Sequence, residues 1–126
     1  MQRQRRRYSR PSDAWSEVEI RAFGRDVGLN GYTDPSEAKH LAEFGGVPGL
    51  VLDLGSGGGW PGQEIIVRSG RSVVGMDMVL SGLQIARQRV ADTDIADRFH
   101  FVAGDGQRLP FAPETFGTVL HADALC

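Results

Sequence analysis

The chain has 126 residues, of which 40% are hydrophobic and 24% charged, and its formal net charge at pH 7 is −2. These values are ordinary for one globular domain. No apolar run approaches the roughly 20 residues of a membrane-spanning helix, and no apolar segment follows the basic N-terminus as it would in a signal peptide. The one cysteine, Cys126, can form no disulfide within the chain. We therefore expect a reducing, cytoplasmic location without membrane contact.

The first ten residues are strongly basic, because they carry five of the 14 Lys and Arg residues and no acid. Such an arm can bind nucleic acid or an anionic surface. Acids outnumber bases in the remainder, so nothing there extends a phosphate-binding footprint. We therefore expect residues 1–11 to be a solvated, disordered arm, residues 12–126 to form the folded domain, and nucleic acid not to be the partner.

Two helices are predicted before the first strand. The first begins at Ser12, or at Ser16 with Ser16-x-x-Glu19 as a capping box. Its predicted apolar face consists of Trp15, Val18 and Ala22.

The second predicted helix has clear start and stop signals. Asp34 is placed as the N-cap, Pro35 as the first helical residue and Glu37 as the third, and Gly45 ends the helix. Its predicted apolar face consists of Ala38, Leu41 and Ala42.

A glycine-rich segment then follows a short apolar run. Residues 50–54 have the length and composition of a buried parallel strand that contains Asp53. Glycines crowd residues 55–62, and Pro61 suits the start of a helix. Strand, glycine loop and helix N-terminus together present free N–H groups to a ligand. The carboxylate of Asp53 can accept hydrogen bonds from an amino-bearing ligand, although a tight turn without a ligand is the alternative.

Two further predicted strands are also followed by acids. Residues 72–77 end at Asp77, and residues 99–103 are followed by Asp105. A helix lies between them, with Ser81 as its candidate N-cap. The carboxyl ends of parallel strands meet at one edge of a sheet, so Asp53, Asp77 and Asp105 are expected to converge on one crevice.

The glycines fit two fingerprints. Asp53-x-Gly55-x-Gly57-x-Gly59 is an acid followed by GxGxG, whereas Gly57-x-Gly59-x-x-Gly62 reads as the dinucleotide fingerprint of an NAD(P)-binding protein. The first frame, with the acids after the next two strands and the segment 104–111, resembles the class I S-adenosylmethionine-dependent methyltransferases. The resemblance implies an α/β Rossmann-like parallel sheet of order 3-2-1-4 and S-adenosyl-L-methionine as cofactor.

The resemblance also implies roles for particular residues. Asp77 is expected to bind the ribose hydroxyls and Asp105 the adenine amino group. The full set of expected cofactor-binding residues is Asp53, Gly55, Ser56, Gly57, Gly59, Asp77, Met78, Asp105, Gly106 and Gln107. His121 and Asp123 are candidates for orienting or deprotonating the acceptor. Three residues before and within the second predicted helix are expected either to face the acceptor pocket or to be ordinary surface residues: Tyr32, Lys39 and His40. No residue is assigned to a metal.

The sequence departs from the family pattern in two places. The segment 114–120 matches the fourth strand, but Gly117 stands where family members often have Asp. Complete members continue through three more strands, so the fourth strand is expected to be an open edge that pairs with a second copy or a complementing partner. The Trp60-Pro61 pair is similar to that of a small-molecule methyltransferase subgroup, and this resemblance implies a small-molecule methyl acceptor. A non-catalytic cofactor-binding module remains the alternative to an enzyme.

Overall fold

The computed structural model describes residues 13–29 and 31–122. The basic arm and the last four residues, including Asp123 and Cys126, lie outside the described residues. Within the described part, the helices and strands in chain order are α1 (Asp13–Phe23), α2 (Pro35–Phe44), β1 (Val51–Leu54), α3 (Gly62–Ser69), β2 (Val73–Asp77), α4 (Leu80–Val90), β3 (Phe99–Ala103) and β4 (Thr118–Leu120). No helix in that part is long and apolar enough to cross a membrane.

The strands form one parallel sheet in the order β3-β2-β1-β4, which confirms the predicted fold class and strand order. In the register, Asp53 of β1 lies opposite Gly75 of β2 on one side and Leu120 of β4 on the other. β4 is shorter than predicted, and it is an outermost strand of the described sheet. Pairing of its outer edge with another chain stays a prediction.

The two faces of the sheet are covered differently. On one face, the side chains of Val51, Val73 and Phe99 pack against α3 and α4, with Ile66 fully buried among them. On the other face, a cluster around Leu52, Val74 and Met76 is covered by the irregular segment between β3 and β4. Two aromatic rings of that segment, Phe111 and Phe116, meet edge to face with centroids 4.8 Å apart. Both faces of β1 are therefore buried, as the apolar run predicted.

α1 begins at Asp13, in agreement with the earlier of its two predicted starts, whereas the alternative capping box at Ser16 and the predicted apolar face are wrong. Glu19 lies in the middle of the helix rather than in its first turn, and its side chain is buried. Its carboxylate accepts hydrogen bonds from the backbone N–H groups of Val27, Gly28 and Leu29 at 2.7–2.8 Å. This face of α1 turns inward because a carboxylate with several donors is strongly stabilised. The predicted apolar residues are consequently exposed, Trp15 by 69% and Val18 by 52%.

The predicted caps of α2 are confirmed. The amide of Glu37 donates to the Asp34 carboxylate at 2.9 Å, and the amide of Asp34 donates to the Glu37 carboxylate at 3.0 Å. Gly45 ends the helix with a φ of 79°. Of the predicted apolar face, Ala38 and Ala42 are buried, whereas Leu41 is 39% exposed.

The turn from α2 into β1 is fixed by Arg71 and by the start of β4. The Arg71 guanidinium donates to the carbonyl groups of Gly49 at 2.9 Å and Val47 at 2.7 Å, and to the hydroxyl of Thr118 at 3.0 Å. Three separate segments, residues 45–49, the start of β2 and the start of β4, are thereby joined by one side chain.

Gly117 is explained by this same turn. Its amide donates to the carbonyl of Leu50 at 2.9 Å, and a Cβ at this position would lie only 2.2 Å from the carbonyl oxygen of Pro48. Backbone atoms cannot move aside as a flexible side chain can. The position therefore excludes the Asp that family members often carry.

We expect Gly117→Ala to lower the free energy of unfolding of the chain by about 1–3 kcal/mol, because the new methyl group would force the Pro48 carbonyl out of place. Gly104→Ala is the matched control, since its Cβ would meet only the flexible end of Met76, at 2.6 Å. Urea unfolding of both variants tests this, and equal losses of stability would contradict it.

Candidate functional site

The glycine loop leaves β1 through residues with left-handed backbone conformations. The φ values are 77° at Gly55, 51° at Gly57 and 96° at Gly59, which residues with a Cβ rarely adopt. The amides of Gly55 and Ser56 both donate to the carbonyl of Met76, at 2.8 and 3.1 Å. The loop is therefore tied to the end of β2, and its glycines are required by its shape.

Asp77 fixes the loop with its side chain. One carboxylate oxygen accepts from the amide of Gly57 at 2.9 Å, and the other accepts from the amide of Val79 at 2.8 Å. Helix α4 accordingly begins at Leu80 without a side-chain cap, and the predicted N-cap Ser81 is wrong. Each carboxylate oxygen has a second lone pair, so both can still accept a hydrogen bond from a ligand hydroxyl.

Asp53 is buried under the loop with no donor for one of its oxygens. It is 1% exposed, and its Oδ2 has no hydrogen-bond partner among the described residues; the buried hydroxyl oxygen of Ser56 also has none. Burial raises the pKa of Asp53 to about 7, and the negative charge of Asp77 adds to the shift. Gly62 makes room for this carboxylate, because a Cβ there would lie 2.8 Å from Oδ2.

The loop after β3 reaches across the same edge of the sheet. The amide of Gly104 donates to the backbone carbonyl of Asp77 at 3.0 Å, and a Cβ on Gly106 would lie 3.3 Å from the Leu54 side chain at the end of β1. The structure therefore places Asp77, the last residue of β2, and the loop that carries Asp105 at one edge of the sheet, whereas Asp53 lies within β1 and is buried. Asp105 itself is exposed, and its carboxylate accepts from the amide of Gln107 at 2.9 Å.

Trp60 connects the glycine loop to α2, a role that the sequence interpretation missed. Its ring is 3% exposed and packs with Val27 and Ala38, and its indole N–H donates to the carbonyl of Thr33 at 2.7 Å. The Trp60–Pro61 peptide bond is cis. A tryptophan within a glycine run was the available signal, since a large ring there must be packed against another element.

A cleft of about 560 Å³ opens beside this contact. One wall is α2 with the residues before it, and the other is the segment after β4; the lining residues are Tyr32, Thr33, Glu37, His40, Leu41, Phe44, His121 and Ala122. Tyr32 and His40 thus line the cleft, whereas Lys39 pairs with Glu43 at 3.7 Å. Nδ1 of His121 lies 3.1 Å from the carbonyl oxygen of Leu54, the last residue of β1. Among the described residues, no cluster of three metal-ligating side chains is present.

Comparison with known proteins agrees with this geometry. A family described as a methyltransferase domain matches residues 51–126. Methyltransferase GfsG of Streptomyces halstedii is 28% identical over 90% of this chain and 45% of its own length. Erythromycin 3''-O-methyltransferase of Saccharopolyspora erythraea is 36% identical over 69% of this chain and 29% of its own length. A crystal structure of a methyltransferase from Geobacter sulfurreducens with S-adenosylhomocysteine superposes on this chain with a TM-score of 0.53. The two sequences are 29% identical, and the match covers 61% of this chain and 32% of the Geobacter chain.

The chain belongs to the methyltransferase-domain family, and it is of the class I, S-adenosylmethionine-dependent type that the first glycine frame predicted. The dinucleotide-binding alternative finds no support. The chain spans less than half the length of these two curated relatives.

The raised pKa of Asp53 predicts a specific pH dependence of stability. In the native state the carboxyl stays protonated up to about pH 7, whereas in the unfolded chain it ionises near its ordinary value of 3.8. The native state therefore binds the extra proton between these values, and the stability due to it falls as the pH rises across that window.

We expect the wild-type chain to lose on the order of 1–3 kcal/mol of unfolding free energy relative to Asp53→Asn between about pH 5 and about pH 8. The amide variant is neutral throughout, so the titration of other groups cancels in the comparison. Urea unfolding at several pH values measures the difference, and parallel pH profiles would show that Asp53 ionises normally.

Proposed function

We propose that this chain binds S-adenosylmethionine at the glycine loop and supplies the cofactor-binding part of a methyltransferase that acts on a small molecule. The observation that carries the proposal is the glycine loop held by Asp77, whose two carboxylate oxygens accept the amides of Gly57 and Val79 and keep lone pairs for a ligand. A ligand with two adjacent hydroxyl groups, such as a ribose, would donate to both of these oxygens. The residues present therefore fit the cofactor of the family.

Each contact has a candidate residue. The Asp77 oxygens face the loop and retain lone pairs for two ribose hydroxyls. Asp105 and Gly106 lie at the same edge, where Asp105 would accept from the adenine amino group, and Met78, 57% exposed, would pack beside the base. The bound cofactor supplies a methyl group already activated on a sulfonium, so the protein contributes chiefly proximity and alignment.

The small-molecule acceptor is supported by the cleft and by the relatives. A relative at 36% identity is named for methylating an oxygen of erythromycin. The cleft ends at His121, next to the strand that leads into the glycine loop, and its volume is typical of small-molecule sites. A cytoplasmic location remains part of this proposal and rests on the unpaired cysteine in the sequence.

Calorimetry with S-adenosylhomocysteine and NAD, titrated separately into the full chain, tests the cofactor. We expect S-adenosylhomocysteine to bind and NAD to bind far more weakly or not at all. The reason is that the loop follows the GxGxG pattern of the methyltransferases, with Asp77 and Asp105 near the ends of the next two strands, rather than the dinucleotide fingerprint. Tighter binding of NAD would defeat the proposal.

Asp77→Ala should weaken S-adenosylhomocysteine binding by about 1–3 kcal/mol, or roughly five- to 150-fold, since it removes the ribose acceptors and releases the amide of Gly57. Asp92→Ala is the matched control, because Asp92 is an exposed acid just after α4. Both variants should unfold cooperatively. An unchanged affinity in Asp77→Ala would show that this carboxylate does not contact the cofactor.

A further inference from the structure

The walls of the cleft restrict what it can hold. Leu41 and Phe44 are exposed by 39% and 88% and give the cleft an apolar side, to which Tyr32 adds an aromatic ring. Burying such exposed apolar surface against a ligand is favourable by about 25 cal/mol per Å². The ligand is therefore expected to be largely apolar.

The charge of the cleft disfavours an anion. Glu37 contributes a carboxylate, and the eight described lining residues include two histidines, His40 and His121, but no Lys or Arg. The nearby Lys39 is not among them and lies 3.7 Å from Glu43. A phosphate or carboxylate group in the cleft would face Glu37 without a compensating guanidinium or ammonium, which is unfavourable. A neutral ligand avoids this repulsion.

The position of His121 determines which ring nitrogen can act as a base. The Leu54 carbonyl 3.1 Å from Nδ1 can only accept a hydrogen bond, so Nδ1 carries the proton. In the neutral ring, Nε2 then has the lone pair. No described residue donates a hydrogen bond to Nε2. Because Leu54 is followed directly by Gly55, the His121 ring lines the cleft next to the start of the glycine loop.

We propose that the cleft binds the methyl acceptor and that this acceptor is an uncharged, largely apolar molecule whose hydroxyl donates a hydrogen bond to Nε2 of His121. This inference rests on the proposed function, since an acceptor needs a methyl donor. The acceptor oxygen forms its bond to the methyl carbon while the carbon–sulfur bond breaks, with the electron pair remaining on sulfur. The hydroxyl proton passes to Nε2, which makes the ring an imidazolium.

Three matched probes test the class of acceptor in calorimetry on the full chain, with and without S-adenosylhomocysteine. They are 2-naphthol, its blocked ether 2-methoxynaphthalene and its anionic ester 2-naphthyl phosphate. We expect the naphthol to bind most tightly, and the ether to bind up to about tenfold more weakly because it cannot donate to Nε2. The phosphate should bind weakest. Absence of naphthol binding, or phosphate binding as tight as that of the naphthol, would overturn the inference.

Variants then locate the binding site. Phe44→Ala should weaken naphthol binding about tenfold by removing the apolar wall. His121→Asn keeps a donor for the Leu54 carbonyl but has no Nε2, so it should weaken the naphthol and leave the ether unaffected. Val67→Ala, an exposed apolar residue of α3 outside the cleft, is the matched control and should change neither. Equal effects of His121→Asn on naphthol and ether would overturn the role of Nε2.

Nitrogen-15 NMR of the histidine side chains gives an independent reading. The chain has three histidines, and His121→Asn identifies the resonances of His121. We expect the tautomer protonated on Nδ1, with the Nε2 resonance moving on addition of naphthol; a proton on Nε2 would contradict the inference.

The affinity for S-adenosylhomocysteine distinguishes failure of this inference from failure of the proposed function. It should change less than about twofold in the Phe44→Ala and His121→Asn variants. Loss of cofactor binding alone would defeat the proposed function, whereas loss of the naphthol pattern alone would defeat the acceptor site.

Discussion

Asp77 is the point at which the ligand-facing edge of the sheet is held together. Its side chain accepts amides from the glycine loop and from the residue before α4, and its backbone carbonyl accepts the amide of Gly104. Three connecting segments therefore depend on one residue at the end of a central strand. Because a carboxylate binds backbone N–H groups more strongly than a neutral acceptor does, the shape of the edge is defined before any ligand arrives. Such preorganisation reduces the conformational entropy that the loops lose when a ligand binds.

The structure around Asp53 shows what this arrangement costs. A carboxylate without a donor in the interior is unfavourable, and a second acid nearby makes it more so. The compensation comes from the apolar cluster between the sheet and helices α3 and α4, where Val51, Ile66 and Val73 are almost fully buried. Because Asp53 is only two residues from Val51, the unfavourable group and the packing that stabilises the fold share one strand.

Much of the architecture could be predicted because it depends on local signals. The capping box of α2 needs only Asp34 and Glu37 at the right spacing. The order of the strands was implied by the resemblance to the methyltransferases, which the glycine frame and the acids near the strand ends made visible. The prediction for α1 failed because Glu19 has its partners eight to ten residues further along, where helical periodicity carries no information. The prediction for Ser81 failed because the helix begins at Leu80, one residue before Ser81, so that Ser81 is already its second residue. The roles of Arg71 and Trp60 depend on contacts between segments distant in sequence, which no spacing rule describes.

The buried ring between the glycine loop and α2 also gives the molecule an optical property. Trp60 and Trp15 are the two tryptophans of the chain, and they are 3% and 69% exposed. A shielded indole emits at shorter wavelength than a hydrated one, so the emission maxima of the two rings differ. With Trp15 replaced by Phe, the remaining emission would come from a ring bonded to Thr33 at the wall of the cleft and covalently part of the glycine loop. The chain therefore contains, between its glycine loop and the cleft, a fluorophore that needs no external label.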